Sequence, residues 1–406
     1  MTSLFNSKLA HKGVLPYAPT EARIVGAYGN TPERAPRMQR ISKSSGGFSL
    51  VEIMVGMTIG LLGMVIMLQM LTFSEGQKRT TSGSDDAQNA GAIALYGLQR
   101  DIQQSGYGIG AQNFIGCSVS WQATDSSGQV NITVPMAPVT INPTIIPAAA
   151  SDPNTDTLLV IYGNSNSPGE GDSISAQPTS PNVYTVGTPT SYNVSDKVVA
   201  QYAVRQTPCT LVGDNVVSIT APNMTLGTGV ANIMTTNTAA SVFPTLYDLG
   251  QSPKVQVYAV RNGNLTVCDY TVYNCGSTTY ATINTANQSV WVPIAGSIVS
   301  LKAQYGRDTN AGTMTGIVDT YDQSTQTTAC NLLRTSAIRI ALVAIGNRDT
   351  ATVTATAPLW AGNITNQIIL SGIPGVTTGW QKYHYKLFQT TVPIRNITMQ
   401  GAVAGC

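Results

Sequence analysis

The most constraining stretch of this 406-residue chain is "SSGGFSLVEIMVGMTIGLLGMVIMLQML", residues 44–71, in which Glu52 is the one charged side chain. From Phe48 to Leu71 the run is 24 residues. As a helix it would extend about 36 Å, enough to cross a bilayer core. A carboxylate near a bilayer centre costs about 2.5–3.5 kcal/mol on insertion scales, so Glu52 requires a partner or a task. The run is longer than the roughly 7–15 apolar residues of a cleavable secretory signal. It is followed by "TFSEGQKR" in place of a small-residue cleavage site, so it reads as an anchor. Arg37, Arg40 and Lys43 precede it, which puts the N-terminus in the cytoplasm and everything after residue 75 outside.

No proline occurs between Pro36 and Pro135, so nothing forces the helix to stop at the membrane. In "DDAQNAGAIALYGLQRDIQQSGYG", Ala87, Ala90, Ala94, Leu98 and Ile102 recur at spacings of three and four and mark one apolar stripe. Gly106 and Gly108 end the pattern, and a short break near Gly83 is allowed. The expectation is one long helix, 48–104, with a transmembrane half at 48–72 and an amphipathic half after it.

Beyond residue 110 the pattern changes to short alternating or apolar runs broken by Gly, Pro, Asn and Asp. "DTLLVIYG" (156–163), "KVQVYAVRNGNLTVCDY" (254–270), "SIVSLKAQYG" (297–306) and "SAIRIALVAIG" (336–346) read as strands, with "RNGN" at 261–264 as a tight hairpin turn. Residues 135–250 show few strong strands and read as long loops or an inserted β-subdomain. The fold class is α+β: a leader at 1–47, the helix, and an exported β-rich head at 105–406 that the amphipathic half covers.

Charge and cysteine usage place the head. Charged residues are 10% of the chain, against about 25% in an average soluble domain. The basic excess sits in residues 1–47, with seven Lys/Arg and two Asp/Glu, so the remainder is net acidic and nucleic acid is not an expected partner. All six cysteines, Cys117, Cys209, Cys268, Cys275, Cys330 and Cys406, lie beyond the anchor. That suggests structural disulfides in an oxidising compartment. Six cysteines admit many pairings; only Cys268 with Cys275, flanking "DYTVYN", is an expected pair.

"GGFSLVE" resembles the prepilin signature: a glycine, an aromatic, a small hydroxyl residue, two aliphatics and a glutamate opening a long apolar helix. The resemblance implies that a prepilin peptidase cuts between Gly47 and Phe48 on the cytoplasmic side and that the new amino group of Phe48 is methylated. It also implies that Glu52, then the fifth residue, pairs with the terminal amine of a neighbouring subunit. Such pairing makes an unfavourable buried charge favourable and sets axial register. Gly56 and Gly60, with Gly63 nearby, form a small-xxx-small pair suited to close approach of neighbouring helices. Met38 lies ten residues before Phe48, and "MQRISKSSGG" is a complete short basic leader, so translation is expected to start there.

"LQRDIQQSGYG", "DTLLVIYG", "LKAQYGRDTN" and "YHYKLFQTTVPIRN" further resemble the PilW-like minor pilins of type IV pili. That resemblance implies a structural and assembly role with no cofactor. The partners it implies are the prepilin peptidase, other minor pilins, the major pilin and a tip adhesin. The protein would reside in the inner membrane with its head in the periplasm, and then at the pilus tip. Two alternatives stay open: a minor pseudopilin of type II secretion, and a membrane-anchored binding protein or adhesin that never polymerises.

Catalytic patterns are sparse. The two histidines are His11, in the leader, and His384, in a run that reads as a strand, which disfavours a triad or a histidine-rich metal site. "DTNAGTMTGIVD" places Asp308, Asn310 and Asp319 at calcium-loop spacing. It lacks the turn glycine and the bidentate glutamate, and reads better as an acidic surface turn.

Overall fold

The structure is a computed structural model that describes residues 47–125, 127–147, 154–234, 242–280, 288–310, 312–348, 352–361, 368–370, 379–397 and 406. Residues 1–46, with Met38 and the basic residues of the leader, lie outside the described residues. The chain divides into two units, Met1–Ile66 and Met67–Cys406. Helix α1 (Leu50–Gln104) runs 55 residues and does not break at Gly83.

In the first unit every described residue is exposed. In the second, the amphipathic half of α1 buries Ala87, Ala94, Leu98 and Ile102, with Ala90 half-buried. Leu98 and Ile102 are fully enclosed, and each such side chain contributes about 1.5–3 kcal/mol of transfer free energy. Gly91 lies on the same stripe because nothing larger fits: a Cβ there would overlap the ring of Phe388. The helix stops at Gly106 (φ 86°) and Gly108 (φ 78°), conformations that only glycine adopts freely. Its last carbonyls are capped from far along the chain: the Asn396 amide donates to Gln104 O at 2.9 Å and Ser105 O at 3.1 Å.

The head begins with a hairpin of β1 (Ser118–Asp125) and β2 (Gly128–Pro135). Residues 135–250, poor in obvious strand signals, hold β3 (Val139–Ile141), β4 (Leu158–Tyr162), β5 (Asp172–Thr179), β6 (Val183–Val186), β7 (Lys197–Gln201), β8 (Thr210–Thr220), β9 (Asn223–Leu226) and β10 (Thr245–Gly250). Then come β11 (Lys254–Arg261), β12 (Asn264–Asp269), β13 (Val292–Gly296), β14 (Ile298–Arg307), β15 (Thr320–Asp322), the short α2 (Ala329–Leu333), β16 (Thr335–Arg348) and β17 (Tyr383–Pro393). The runs read from sequence as strands correspond to β4, to β11 with β12, to β14 and to β16. The β11–β12 turn pairs Arg261 with Asn264 and places Asn262 (φ 51°) and Gly263 (φ 70°) in the left-handed region, as a type I′ hairpin requires.

Among the described residues these strands make three sheets. Their orders are β2-β1-β8-β7-β10-β5-β6-β9, then β13-β12-β11-β4-β3, then β15-β14-β16-β17. The pairing is antiparallel except between β1 and β8. The fold is α+β. Period-two alternation on β16 explains the layering: Ile338, Ile340, Leu342 and Ala344 join the cluster under α1 with Leu158, Val160, Val260 and Leu301. Ala341 and Val343 point the other way, to Trp360, Ile368 and Leu370. The outer strands β5 to β10 enclose a separate cluster around Ile174, Tyr184, Val198 and Leu246.

Candidate functional site

Gly47, Phe48 and Ser49 precede the helix in non-helical backbone, and the first bond of the turn runs from Ile53 N to Ser49 O at 3.2 Å. Phe48 is 78% exposed, so both sides of the Gly47–Phe48 bond are accessible. α1 is long and apolar enough to cross a membrane, and none of its apolar window is buried within the chain. Two of its hydroxyls are satisfied locally: Thr58 donates to Val55 O at 2.9 Å and Thr72 to Gln69 O at 2.8 Å. Glu52, in the first turn, has no partner among the described residues. A carboxylate there is favoured by the amino end of the helix, but that does not neutralise it.

The glycines of α1 fall into two kinds. At Gly56, Gly60 and Gly63 a Cβ would meet nothing within 4 Å among the described residues, so packing against them does not account for these glycines. At Gly91 the Phe388 ring fills that space.

The amphipathic half is fixed to the sheet by a polar cluster that the sequence reading missed. Asp101, 5% exposed, accepts from the Tyr258 hydroxyl of β11, and Gln256 Oε1 lies 2.8 Å from the same hydroxyl. Tyr162 of β4 stands 3.5 Å from Asp101. Burial, and then the Asp101 charge, push the Tyr162 phenol up to about 12 and the Tyr258 phenol higher still, so both stay protonated donors to a carboxylate acceptor. The available signal was an acid within the apolar stripe, next to Ile102 and one turn after Leu98.

The six cysteines form three disulfides: Cys117–Cys209, Cys268–Cys275 and Cys330–Cys406, with Cα separations of 4.8, 6.1 and 5.3 Å. The pair expected from sequence, Cys268 with Cys275, is one of them. The others join residues 92 and 76 positions apart.

In the acidic loop, Asp308 accepts from the backbone of Asn310, Thr315 and Gly316 and from the Thr315 hydroxyl. Burial opposes its ionisation, yet these bonds win and hold the carboxyl down to about 2. Asp319 accepts from Thr309 N at 2.8 Å and the Asn310 amide at 3.1 Å. Both carboxylates thus close the loop on N–H donors, the arrangement of a self-satisfied turn. His384 lies on β17, half-buried.

Two comparisons with protein families match. Residues 257–396 fit the family described as Type IV Pilus-assembly protein W, a span from β11 to the residue that caps α1. Residues 42–68 fit the prokaryotic N-terminal methylation motif, which contains Gly47, Phe48 and Glu52. No curated protein and no solved structure matches the chain.

Proposed function

We propose that this chain, a PilW-like type IV pilin, is a minor pilin whose β-rich head takes part in the complex that primes pilus assembly and occupies the tip. The observation that carries the reading is the first half of α1: an apolar helix that is exposed throughout and whose one carboxylate, Glu52, has no partner among the described residues. Cleavage before Phe48 would create an amine four residues from Glu52. A neighbouring subunit could bring its own amine to this carboxylate as the helices pack, and Gly56 and Gly60 would let the backbones approach closely. Before assembly the helix anchors the protein in the inner membrane with the head in the periplasm, where the three disulfides form. The family match over 257–396 supports the pilus over type II secretion, and supports a structural role over an enzymatic one.

The test is N-terminal peptide and intact-mass spectrometry on native membranes and sheared pili, with Glu52→Ala alongside the wild type. The expected result is a chain beginning at methylated Phe48 in the pilus fraction, and reduced piliation in the variant. An unprocessed chain confined to membranes, or normal piliation with Glu52→Ala, would replace the pilin reading with that of an anchored protein.

A further inference from the structure

A half-buried arginine on the β15-β14-β16-β17 sheet has no counter-ion. On β16 the alternation that turns Ile338 and Ile340 toward α1 turns Arg339 to the opposite face, where its neighbours along the strand, Ala337 and Ala341, are too short to cover it. The register sets Arg339 between Gln304 of β14 and Thr391 of β17. Lys302 and Arg307 of β14 pair with Asp156 and Asp322. Arg339 makes no ion pair and no side-chain hydrogen bond among the described residues.

An aromatic ring holds it in place. The Arg339 guanidinium carbon stands 3.4 Å from the centroid of the Tyr321 ring, a cation over a π face. Tyr321 lies in turn over Gly306, where a Cβ would come within 2.9 Å of the ring. The stack fixes one face of the guanidinium and leaves its N–H edge open. Beside it is a hollow of about 310 Å³ lined by Arg339, Ala361, Gln389, Thr390 and Thr391, at the lower end of ligand-pocket volumes. Thr391 is directly opposite Arg339 and Gln389 is two residues along the same strand, so all three side chains share one face of the sheet. The Gln389 amide is already oriented: Ala361 N donates to its Oε1 at 3.0 Å, which leaves Nε2 as a donor with no acceptor among the described residues.

This lining selects an anion of one charge. It holds one guanidinium, one amide whose oxygen is occupied, two threonines and no acid. A guanidinium presents a planar fork of N–H groups that matches a carboxylate bidentately. A phosphate dianion would leave a negative charge uncompensated, and a neutral ligand would desolvate the guanidinium without a counter-charge. We propose that the hollow binds a single carboxylate, gripped by Arg339 and donated to from the side by Gln389. The carboxylate belongs either to a small free acid or to an acidic side chain of another protein, and the test separates the two.

The experiment uses the full chain in a maltoside detergent at low ionic strength, in a buffer free of carboxylate and phosphate. Acetate, the capped tripeptide acetyl-Ala-Glu-Ala-amide and its glutamine counterpart are titrated by saturation-transfer NMR, and inorganic phosphate by phosphorus NMR. The expected result is saturable millimolar binding of acetate or the glutamate peptide and none of the glutamine peptide. Arg339→Lys keeps the charge but loses the fork, and Gln389→Ala removes the side donor; each should weaken binding about tenfold. Gln389 is exposed, so its variant keeps the fold, and circular dichroism checks that of Arg339→Lys. Tighter binding of the peptide than of acetate assigns a protein side chain; acetate bound as tightly or more so assigns a small acid. No saturable binding of either carboxylate overturns the proposal. So does binding unchanged in Gln389→Ala or in folded Arg339→Lys, or phosphate bound more tightly than both carboxylates.

Discussion

Removing the disulfides one pair at a time should rank them by the loop each closes. In the chain-entropy account a cross-link restricts the unfolded ensemble in proportion to the logarithm of loop length. For separations of 92, 76 and 7 residues this gives about 4.6 kcal/mol for Cys117–Cys209, about 4.5 for Cys330–Cys406 and about 2.4 for Cys268–Cys275. The two long bridges each represent about 30% or more of a typical domain stability of about 5–15 kcal/mol. Cys268 and Cys275 are both buried, so replacing them with alanine adds a packing loss and makes the gap of about 2 kcal/mol to the half-buried Cys330–Cys406 bridge an upper bound. The assay is guanidinium unfolding of the full-length chain in detergent, followed by circular dichroism, for the three paired Cys→Ala variants. Cys330→Ala/Cys406→Ala is the cleanest comparison, because Cys330 and Cys406 are only half-buried. If the Cys330/Cys406 variant, which carries little packing loss, loses no more than about 2 kcal/mol, loop entropy is not what that bridge contributes.

Gly91→Ala should lower stability despite a helix-propensity gain of about 1 kcal/mol, because displacing Phe388 costs about 1–3 kcal/mol. Phe388→Leu in the same chain should recover part of the loss, and a melting temperature raised by Gly91→Ala alone would refute the contact. Tyr258→Phe removes the hydroxyl donor to buried Asp101 and should cost about 1–3 kcal/mol in a denaturant titration, whereas an unchanged midpoint would show that Asp101 is satisfied elsewhere. Asp308 has a folded-state pKa near 2, below its ordinary value of 3.8, so its contribution is complete above about pH 4 and is lost as pH falls toward 2. Asp308→Asn should flatten that part of the stability-against-pH curve, and a variant with the wild-type acid slope would contradict the assignment.

Sequence alone determined the features whose causes are local. The uncharged run around Glu52, the proline-free interval and the three-and-four spacing of Ala87 to Ile102 specify one helix with an apolar half and an amphipathic half. The Asn262-Gly263 pair specifies its hairpin, because few other residues adopt left-handed backbone without strain. Only the tertiary structure decided which distant residues meet. Asp101 and Tyr258 are 157 positions apart, and Asn396 caps a helix that ended nearly 300 residues earlier. Strands β5 to β10 carry weak individual patterns, and the cluster around Ile174, Tyr184, Val198 and Leu246 exists only where they meet. Pairings such as Cys117 with Cys209, and the row that sets Arg339 beside Thr391, depend on how strands are ordered across a sheet. Periodicity reports which face of an element is buried; it holds no record of which partner buries it.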